Sequence, residues 1–448
     1  MGRTGEHAIV IGASIAGLCA ARVLSDFFDH VSVFERDELP DHAANRPAVP
    51  QGRHVHLLMA RGANEFETMF PGVLAEMVSA GVPMLENRPD CIHFGAAGHV
   101  LGTNHTLRRE FTAYVPSRPH LEWQIRRRVL AIANVEVSHR DVAEPTFDPG
   151  LRRVTGVRLD ADSTVAADLV VDATGRGTRL PVWLRQWGFE PPTEDTVDVG
   201  IDYSTHQVRI PDGLFEEKVV VAGASRNHPV GLGMLYYEDG LWGLTTFGTA
   251  RAQPPTDFAG MVALAEEILP AHVVAALRQG EPIGEVAHHK YPTSRWRRYD
   301  KLDRFPAGIV PLGDSVVSFN PTFGQGMTMT SIQAANLRRV LESGTSEIAR
   351  PLAQLTAKTT WPVWTMNAIG DLVLHNAKGP QHWWYQPVGG LFDQFLGAAE
   401  TDPVLAEWFL RRFSLLDSLY MVPSARLVGR TVRHNVGHWL RNRRAVGV

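Results

Sequence analysis

The chain has 448 residues, enough for two or three domains and a sizeable core, which excludes a small stapled module. Hydrophobic residues make up 44% and charged residues 21%, an ordinary globular composition that argues against a disordered or fibrous scaffold. Lys and Arg number 44 against 48 Asp and Glu, so the formal charge of -4 offers no global attraction for nucleic acid, and two cysteines, Cys19 and Cys91, are too few for a disulfide framework or a thiolate metal cluster.

The elements read in chain order as follows. His7 to Ile11 is a short apolar strand that begins without the apolar core and cleavage site of a signal peptide. A glycine turn, a helix-period stretch through Leu24 and the strand VSVFE complete a βαβ unit. Asp41 to Gln51 carries Pro47 and Pro50 without periodicity and reads as a loop before an apolar helix around Leu57 to Met69. Residues 92–115 look strand-like. Leu121, Ile125 and Val129 then mark a helix starting after Ser117-Arg118-Pro119, with Arg126 to Arg128 as its expected solvated face. From about 197 to 290 apolar and polar residues alternate, as in Val219 to Gly223 and Gly231 to Phe247, which predicts a mostly antiparallel sheet. A second apolar strand, Gly308 to Leu312, feeds a glycine loop and a helix from Gln325 to Leu341; the chain after 346 is Trp-rich and helical, with a basic tail. No apolar run reaches the roughly 18 residues of a membrane span, so a cytoplasmic protein is expected.

Three motifs carry chemistry. Gly12-Ala13-Ser14-Ile15-Ala16-Gly17 is a dinucleotide turn with Ser at the middle glycine position, where Gly12 permits the tight turn, Gly17 lets helix and strand approach, and the helix N-terminus offers amides to a pyrophosphate. Glu35, at the end of the second strand, stands where a carboxylate accepts ribose hydroxyls. Asp168 to Gly177 is an apolar strand running into a glycine turn, readable either as a cofactor-crevice edge or as an ordinary strand and turn. Gly313-Asp314 follows another strand, and Pro321 and Gly324-Gln325-Gly326-Met327 open a long helix whose glycines allow close backbone approach to an anionic group.

In this order and spacing the three motifs resemble the FAD-dependent monooxygenases of the para-hydroxybenzoate hydroxylase type, over roughly residues 7–345. Arg46 to Leu58 and the Asp-Ala-Thr-Gly-Arg-Gly turn resemble, more narrowly, the actinobacterial polyene and polyether flavin epoxidases related to squalene epoxidase. The resemblance implies an α/β FAD-binding three-layer domain of the glutathione-reductase-like type from residues 1–85, 117–185 and 296–345. It adds a mostly antiparallel substrate sheet inserted from 86–116 and 186–295, and a helical C-terminal region from 346–448. It implies that Gly12, Ser14, Ile15, Gly17, Glu35 and Arg36 hold the ADP half of FAD. Arg46 or Arg53, with Arg118, would face phosphates or ribityl chain, Thr174, Gly175 and Asp314 would line the ribityl-pyrophosphate region, and Pro321, Gly324, Gly326 and Met327 the flavin ring. The activity implied is oxygen transfer from O2 through a flavin hydroperoxide to a hydrophobic small molecule, most specifically an alkene, with no protein nucleophile. One departure stands: Ala173-Thr174 replace the usual Asp-Gly of the second motif, so electrons are expected partly or wholly from a separate flavin or NAD(P)H reductase.

Other features have plainer readings. His54 and His56 lack a third partner at ligand spacing, so no metal site is expected. Tyr236, Tyr237, Trp242 and Phe247, with Trp361, Trp364, Trp383 and Trp384, are either core or the walls of an apolar chamber. The helix from Arg426 to Arg444 is expected to be a solvated surface helix, a membrane or reductase contact being the alternative. A halogenase-like enzyme stays open as an alternative although Trp361-Pro362-Val363-Trp364 has the wrong spacing for the Trp-x-Trp-x-Ile-Pro signature, and an isoprenoid reductase and an aromatic hydroxylase stay open beside it.

Overall fold

The computed structural model describes residues 4–47, 49–85, 91–103, 108–109, 112–159 and 163–446, without the side chains of 442–446. Ala48 and the side chains of Arg443 and Arg444 therefore lie outside the described residues, as does part of the strand-like stretch 92–115.

Five parallel strands form one sheet, in the order Ile309–Pro311, Leu169–Asp172, Gly5–Ile11, Phe28–Glu35 and Val135–His139. Its strands read as continuous apolar runs because both faces are covered. Ala8 and Val10 pack with Leu18, Leu121, Ile125 and Leu337 of the helices Ile15–Leu24, Arg118–Leu130 and Gly326–Glu342. Ile9 and Ile11 point the other way, toward Val154 and Val157 of a three-stranded antiparallel sheet, Val142–Asp148, Arg153–Leu159 and Thr164–Ala166. The parallel sheet thus lies between helices on one face and the three-stranded antiparallel sheet on the other.

The second sheet has eight strands, in the order Val317–Ser318, Glu281–Arg297, Glu194–Arg209, Trp242–Gly248, Val230–Tyr236, Val219–Ala222, Ile92–Ala96 and His99–Val100. It is antiparallel except where Val219–Ala222 runs parallel to Ile92–Ala96. One face carries Val208, Val220, Met234, Trp242 and Leu244 against Met261, Leu264, Val273 and Leu277 of the helices Phe258–Ile268 and Ala271–Leu277. These helices interrupt the stretch read as strands; the start signal is Asp257, whose carboxylate caps the first of them by accepting the Gly260 N–H at 2.8 Å. The opposite face meets the C-terminal helices, with Val197, Val199 and Tyr203 in one cluster with Val363, Trp364 and Leu372.

One expectation is corrected. Arg126 is not on a solvated face: it is 2% exposed and donates to the carbonyls of Pro40 and His42 at 2.6 and 3.2 Å, holding the loop behind the first motif. Only Arg127 and Arg128 face outward, where both pair with Glu76. The aromatic residues also divide. Tyr236 and Trp242 turn to the helix-covered side of the sheet, Trp242 stacking on Phe215 at 4.9 Å. Trp364 is buried between Trp296 and Phe319, Trp361 leans on Tyr420, and Trp383 is 88% exposed.

Candidate cofactor and substrate site

The three motifs meet at the C-terminal ends of the parallel strands. In the first turn Gly12 has φ +98°, and a Cβ there would lie 2.8 Å from the Ala173 carbonyl oxygen; a Cβ on Gly17 would come within 1.8 Å of the Gly12 oxygen, so only glycine fits either place. The helix Ile15–Leu24 begins with no side-chain cap and no acid in its first turn, leaving its positive end toward the crevice. Ser14 is engaged elsewhere: its hydroxyl accepts from Arg118 Nη2 at 2.9 Å. Arg118 Nε is buried without a partner.

Glu35, 5% exposed, accepts the Ala13 N–H at 2.7 Å and the Asp37 N–H at 3.1 Å, which fixes its carboxylate beside the turn. Arg46 lies against it at 3.3 Å and donates from Nε to Glu122 at 2.7 Å and from Nη2 to the Ala13 carbonyl at 3.3 Å. Arg46 thus stands on the Glu35 side of the turn, among three carboxylates, Glu35, Asp37 and Glu122.

Asp172 ends the second strand fully buried. It accepts from the Thr174 N–H at 3.1 Å, from the Thr174 hydroxyl at 2.6 Å and from the Thr178 hydroxyl, while Ser315 Oγ accepts the Gly175 N–H at 3.0 Å. The second and third motifs are thereby tied together. A Cβ on Gly313 would meet the Ala16 methyl at 2.7 Å, so the third motif packs on the first helix. Burial pushes the Asp314 carboxyl above the usual range, and Arg176, Arg118 and Arg297 pull it back. At the next helix, Gly324 has φ +66°, and no atom lies within 4 Å of a Cβ built on Gly326. That position is open beside an uncapped helix start, which leaves room for a flat group to approach the helix amides.

The loop after the first motif connects this crevice to the second sheet. On one side, Leu57 and Met59 approach Gly324; on the other, Val55 fills the space above Gly243. Between them His54 packs edge-on to Tyr203 at 4.4 Å, with Nδ1 2.8 Å from Thr205 Oγ1, itself 2.6 Å from Thr245 Oγ1. Burial and the neighbouring His289 lower the His54 pKa to about 3, and burial with Arg118 lowers that of His56 to about 4, so both rings are neutral at pH 7. The His56 N–H donates to Tyr237 Oη at 3.0 Å. Arg176 leaves the second motif to lie over the Tyr291 ring at 4.0 Å, donating to Ser318 Oγ and the Thr293 carbonyl.

Of the residues expected from sequence, Gly12, Ser14, Ile15, Gly17, Glu35, Arg46, Arg118, Gly175, Asp314, Gly324 and Gly326 gather around this crevice. Arg36 and Arg53 are exposed, and Thr174 is exposed with its hydroxyl turned back to Asp172. Pro321 is exposed at the head of a half-buried turn, and Met327 is buried in the helix core. Sequence reading missed Arg176, Asp172, Ser315 and the threonine pair behind His54; an Arg following a glycine turn was the one available signal. A cavity of about 390 Å³ lined by Phe189, Trp296, Tyr299 and Leu352 lies against the edge strand Ile309–Pro311 and contains none of the expected site residues.

An uncapped helix end at a glycine turn, a fixed carboxylate at the second strand end, an unpartnered buried Arg118 Nε and an open Gly326 together fit a flavin dinucleotide. The chain shares its fold with the flavin-dependent brominase Bmp2, on which it superposes with a TM-score of 0.63 at 12% identity, covering 98% of this chain and 100% of that one. Kynurenine 3-monooxygenase of Salinispora arenicola is 27% identical over 73% of this chain and 70% of its own. Protein Rv3254 of Mycobacterium tuberculosis is 65% identical over 99% of this chain and 97% of its own length. The chain belongs to the family of Protein Rv3254, and residues 379–445 match the model of the Mycobacterium Rv3254 C-terminal domain.

Proposed function

We propose that the chain binds one FAD and uses O2 to insert a single oxygen atom into a hydrophobic small molecule, most specifically by epoxidising an alkene of a polyene or isoprenoid. The observation that carries the reading is the convergence of the three glycine turns on one crevice that also touches the second sheet through His54. Bound FAD would supply the oxygen chemistry. The chain's own residues have the other tasks. Amides after Ser14 and the Arg118 guanidinium neutralise the pyrophosphate, Glu35 accepts ribose hydroxyls, and Asp314 faces the ribityl region. Gly324 to Gly326 admit the ring edge to the positive helix end. Arg36, Arg53, Thr174, Pro321 and Met327 remain proposed as outer contacts. Val55, His56 and Tyr237 close the floor between cofactor and substrate and keep water out.

The test begins with absorbance: the purified protein should be yellow or take up one FAD per chain on titration, and a protein that binds none refutes the assignment. Reduced holoprotein given isoprenoid or polyketide alkenes should then yield products heavier by one oxygen atom. One observation favours a second reading, aromatic hydroxylation: the His54–Thr205–Thr245 chain puts hydrogen-bonding groups beside the substrate sheet, as a phenol would require. Turnover of phenols and not alkenes would select it.

A further inference from the structure

The last helix, Ala425–Val446, is 22 residues long and contains no Asp or Glu. One face is seated: Leu427 is buried in the C-terminal cluster, Arg430 pairs with Asp402 at 2.7 Å, His434 bonds Thr401 at 3.0 Å and Asn435 reaches Gln394 at 3.0 Å. The opposite face is different in kind. Val428, Val432, Val436 and Leu440 recur at four-residue spacing and are 46, 55, 51 and 46% exposed, with Trp439 51% exposed beside them. Leu391, on the helix Tyr385–Ala399 against which this one packs, is 71% exposed. Arg426, Arg433 and Arg441 form a second exposed line along the same helix.

We propose that this face docks on an anionic phospholipid bilayer, with the helix lying flat in the headgroup boundary. The expectation of a merely solvated helix does not explain an aliphatic stripe that turns away from the protein; surface helices present such stripes to something apolar. Charge decides between occupants. A second copy packed antiparallel across a two-fold axis would set the arginine line against its own image, and a parallel copy would set it against the other flank of a helix that has no carboxylate to compensate. A bilayer meets both halves of the face. Valine and leucine side chains enter the acyl boundary, and the arginines extend to lipid phosphates. No described helix is long and apolar enough to cross a membrane, so contact would be with the surface only.

The experiment is sedimentation of the full-length protein with vesicles of phosphatidylcholine alone and of phosphatidylcholine with about 30% phosphatidylglycerol. Wild type should pellet with the anionic vesicles and stay largely in solution with the neutral ones, and added salt should release it. Val432→Asp with Val436→Asp should cut the bound fraction at least about fivefold, because charge is placed in the acyl boundary. Arg426→Gln with Arg433→Gln should weaken binding to the anionic vesicles alone. All four positions are exposed, so unchanged thermal melting confirms that folding is intact. Equal pelleting of wild type and the aspartate variant overturns the proposal. So does a concentration-dependent dimer in light scattering that the aspartate variant abolishes while no vesicle binding is seen, which would assign the face to a second copy.

Discussion

Arg118 Nη2 donates to Ser14 Oγ at 2.9 Å, joining the serine of the first turn to the start of a helix far along the chain. The serine therefore does more than occupy a glycine position: it anchors a guanidinium that also lies 3.3 Å from Glu122 and opposes the upward shift that burial imposes on the Asp314 carboxyl. Arg118→Met should weaken FAD binding by about tenfold or more, the scale of a charged hydrogen bond. Ser14→Gly removes the anchor but leaves the cation, so its loss should stay within about threefold. Fluorescence titration with FAD measures both, and equal losses would mean that Arg118 acts only through Ser14.

Asp172 offers a stability prediction. Its buried carboxylate accepts from the Thr174 N–H and from the Thr174 and Thr178 hydroxyls, so Asp172→Ala strands those donors and should cost about 3 kcal/mol or more. Asp172→Asn keeps one acceptor oxygen and should lie between. Thermal melts of the apoprotein should order the three as wild type, Asn, Ala; identical melting temperatures would leave the turn without its proposed clamp.

The βαβ unit, the later motif strands and the long helix after Gly326 were legible because glycine turns and apolar runs are local signals. Arg126 was misread because a triplet of arginines looks the same whether its first member is solvated or buried under Pro40; only the chain folding back from 40–42 distinguishes them. Trp242 stays open in the sequence for a related reason: strand alternation tells that residues share a face but not what that face packs against, and the structure puts Trp242 in the core beneath the helices Phe258–Ile268 and Ala271–Leu277. The threonine pair behind His54 comes from two strands joined only through tertiary pairing, Thr205 opposite Thr245, and no spacing along the chain announces it.

The neutral histidines predict a pH effect of definite sign. His54 and His56 have folded pKa values near 3 and 4, below the ordinary 6.5, so the unfolded chain binds more protons between those limits. Stability contributed by these rings is therefore present above about pH 6.5 and is lost as pH falls toward 4 and then 3. Asp314 and Asp371, both raised by burial, act with the opposite sign in the acidic range. The difference between wild type and a His54→Asn, His56→Asn variant isolates the histidine contribution. Chemical unfolding from pH 4.5 to 7.5 should give the variant a flatter profile; parallel profiles would remove these rings from the acid response.

Electron supply follows from the second motif. Thr174 is bonded back to Asp172 and Arg176 is committed to Tyr291, Ser318 and Thr293, so this turn presents no free cation for a nicotinamide dinucleotide. Stopped-flow mixing of the FAD-loaded protein with NADPH or NADH should show slow flavin reduction that a separate reductase accelerates. Fast saturable reduction by either nucleotide alone would refute this.

The hydrogen count around His54 leads to a prediction about substrates. Thr205 and Thr245 are buried, and each hydroxyl has a single proton to donate. If His54 donated from Nδ1, the Thr205 proton would go to Thr245, and the Thr245 proton would be left without an acceptor in this chain of three. In the reverse direction Thr245 donates to Thr205 and Thr205 donates to His54 Nδ1, so both protons are used; this assignment, made from the hydrogen-bond count, puts the ring proton on Nε2. A ring held neutral by burial then offers one N–H donor beside Tyr203 and His289. Such a donor would hold a carbonyl, hydroxyl or ether oxygen of a substrate lying against it and would contribute nothing to a pure hydrocarbon. His54→Leu should therefore lower kcat/KM for oxygen-bearing alkenes or phenols by about ten- to a hundredfold. Turnover of an unfunctionalised alkene should stay within about threefold, and His54→Gln, which retains an N–H, should recover part of the loss. The flavin absorbance spectrum serves as the control for an intact cofactor site. Equal losses for hydrocarbon and oxygenated substrates would show that His54 acts as packing between the loop and the sheet, and not as a substrate donor.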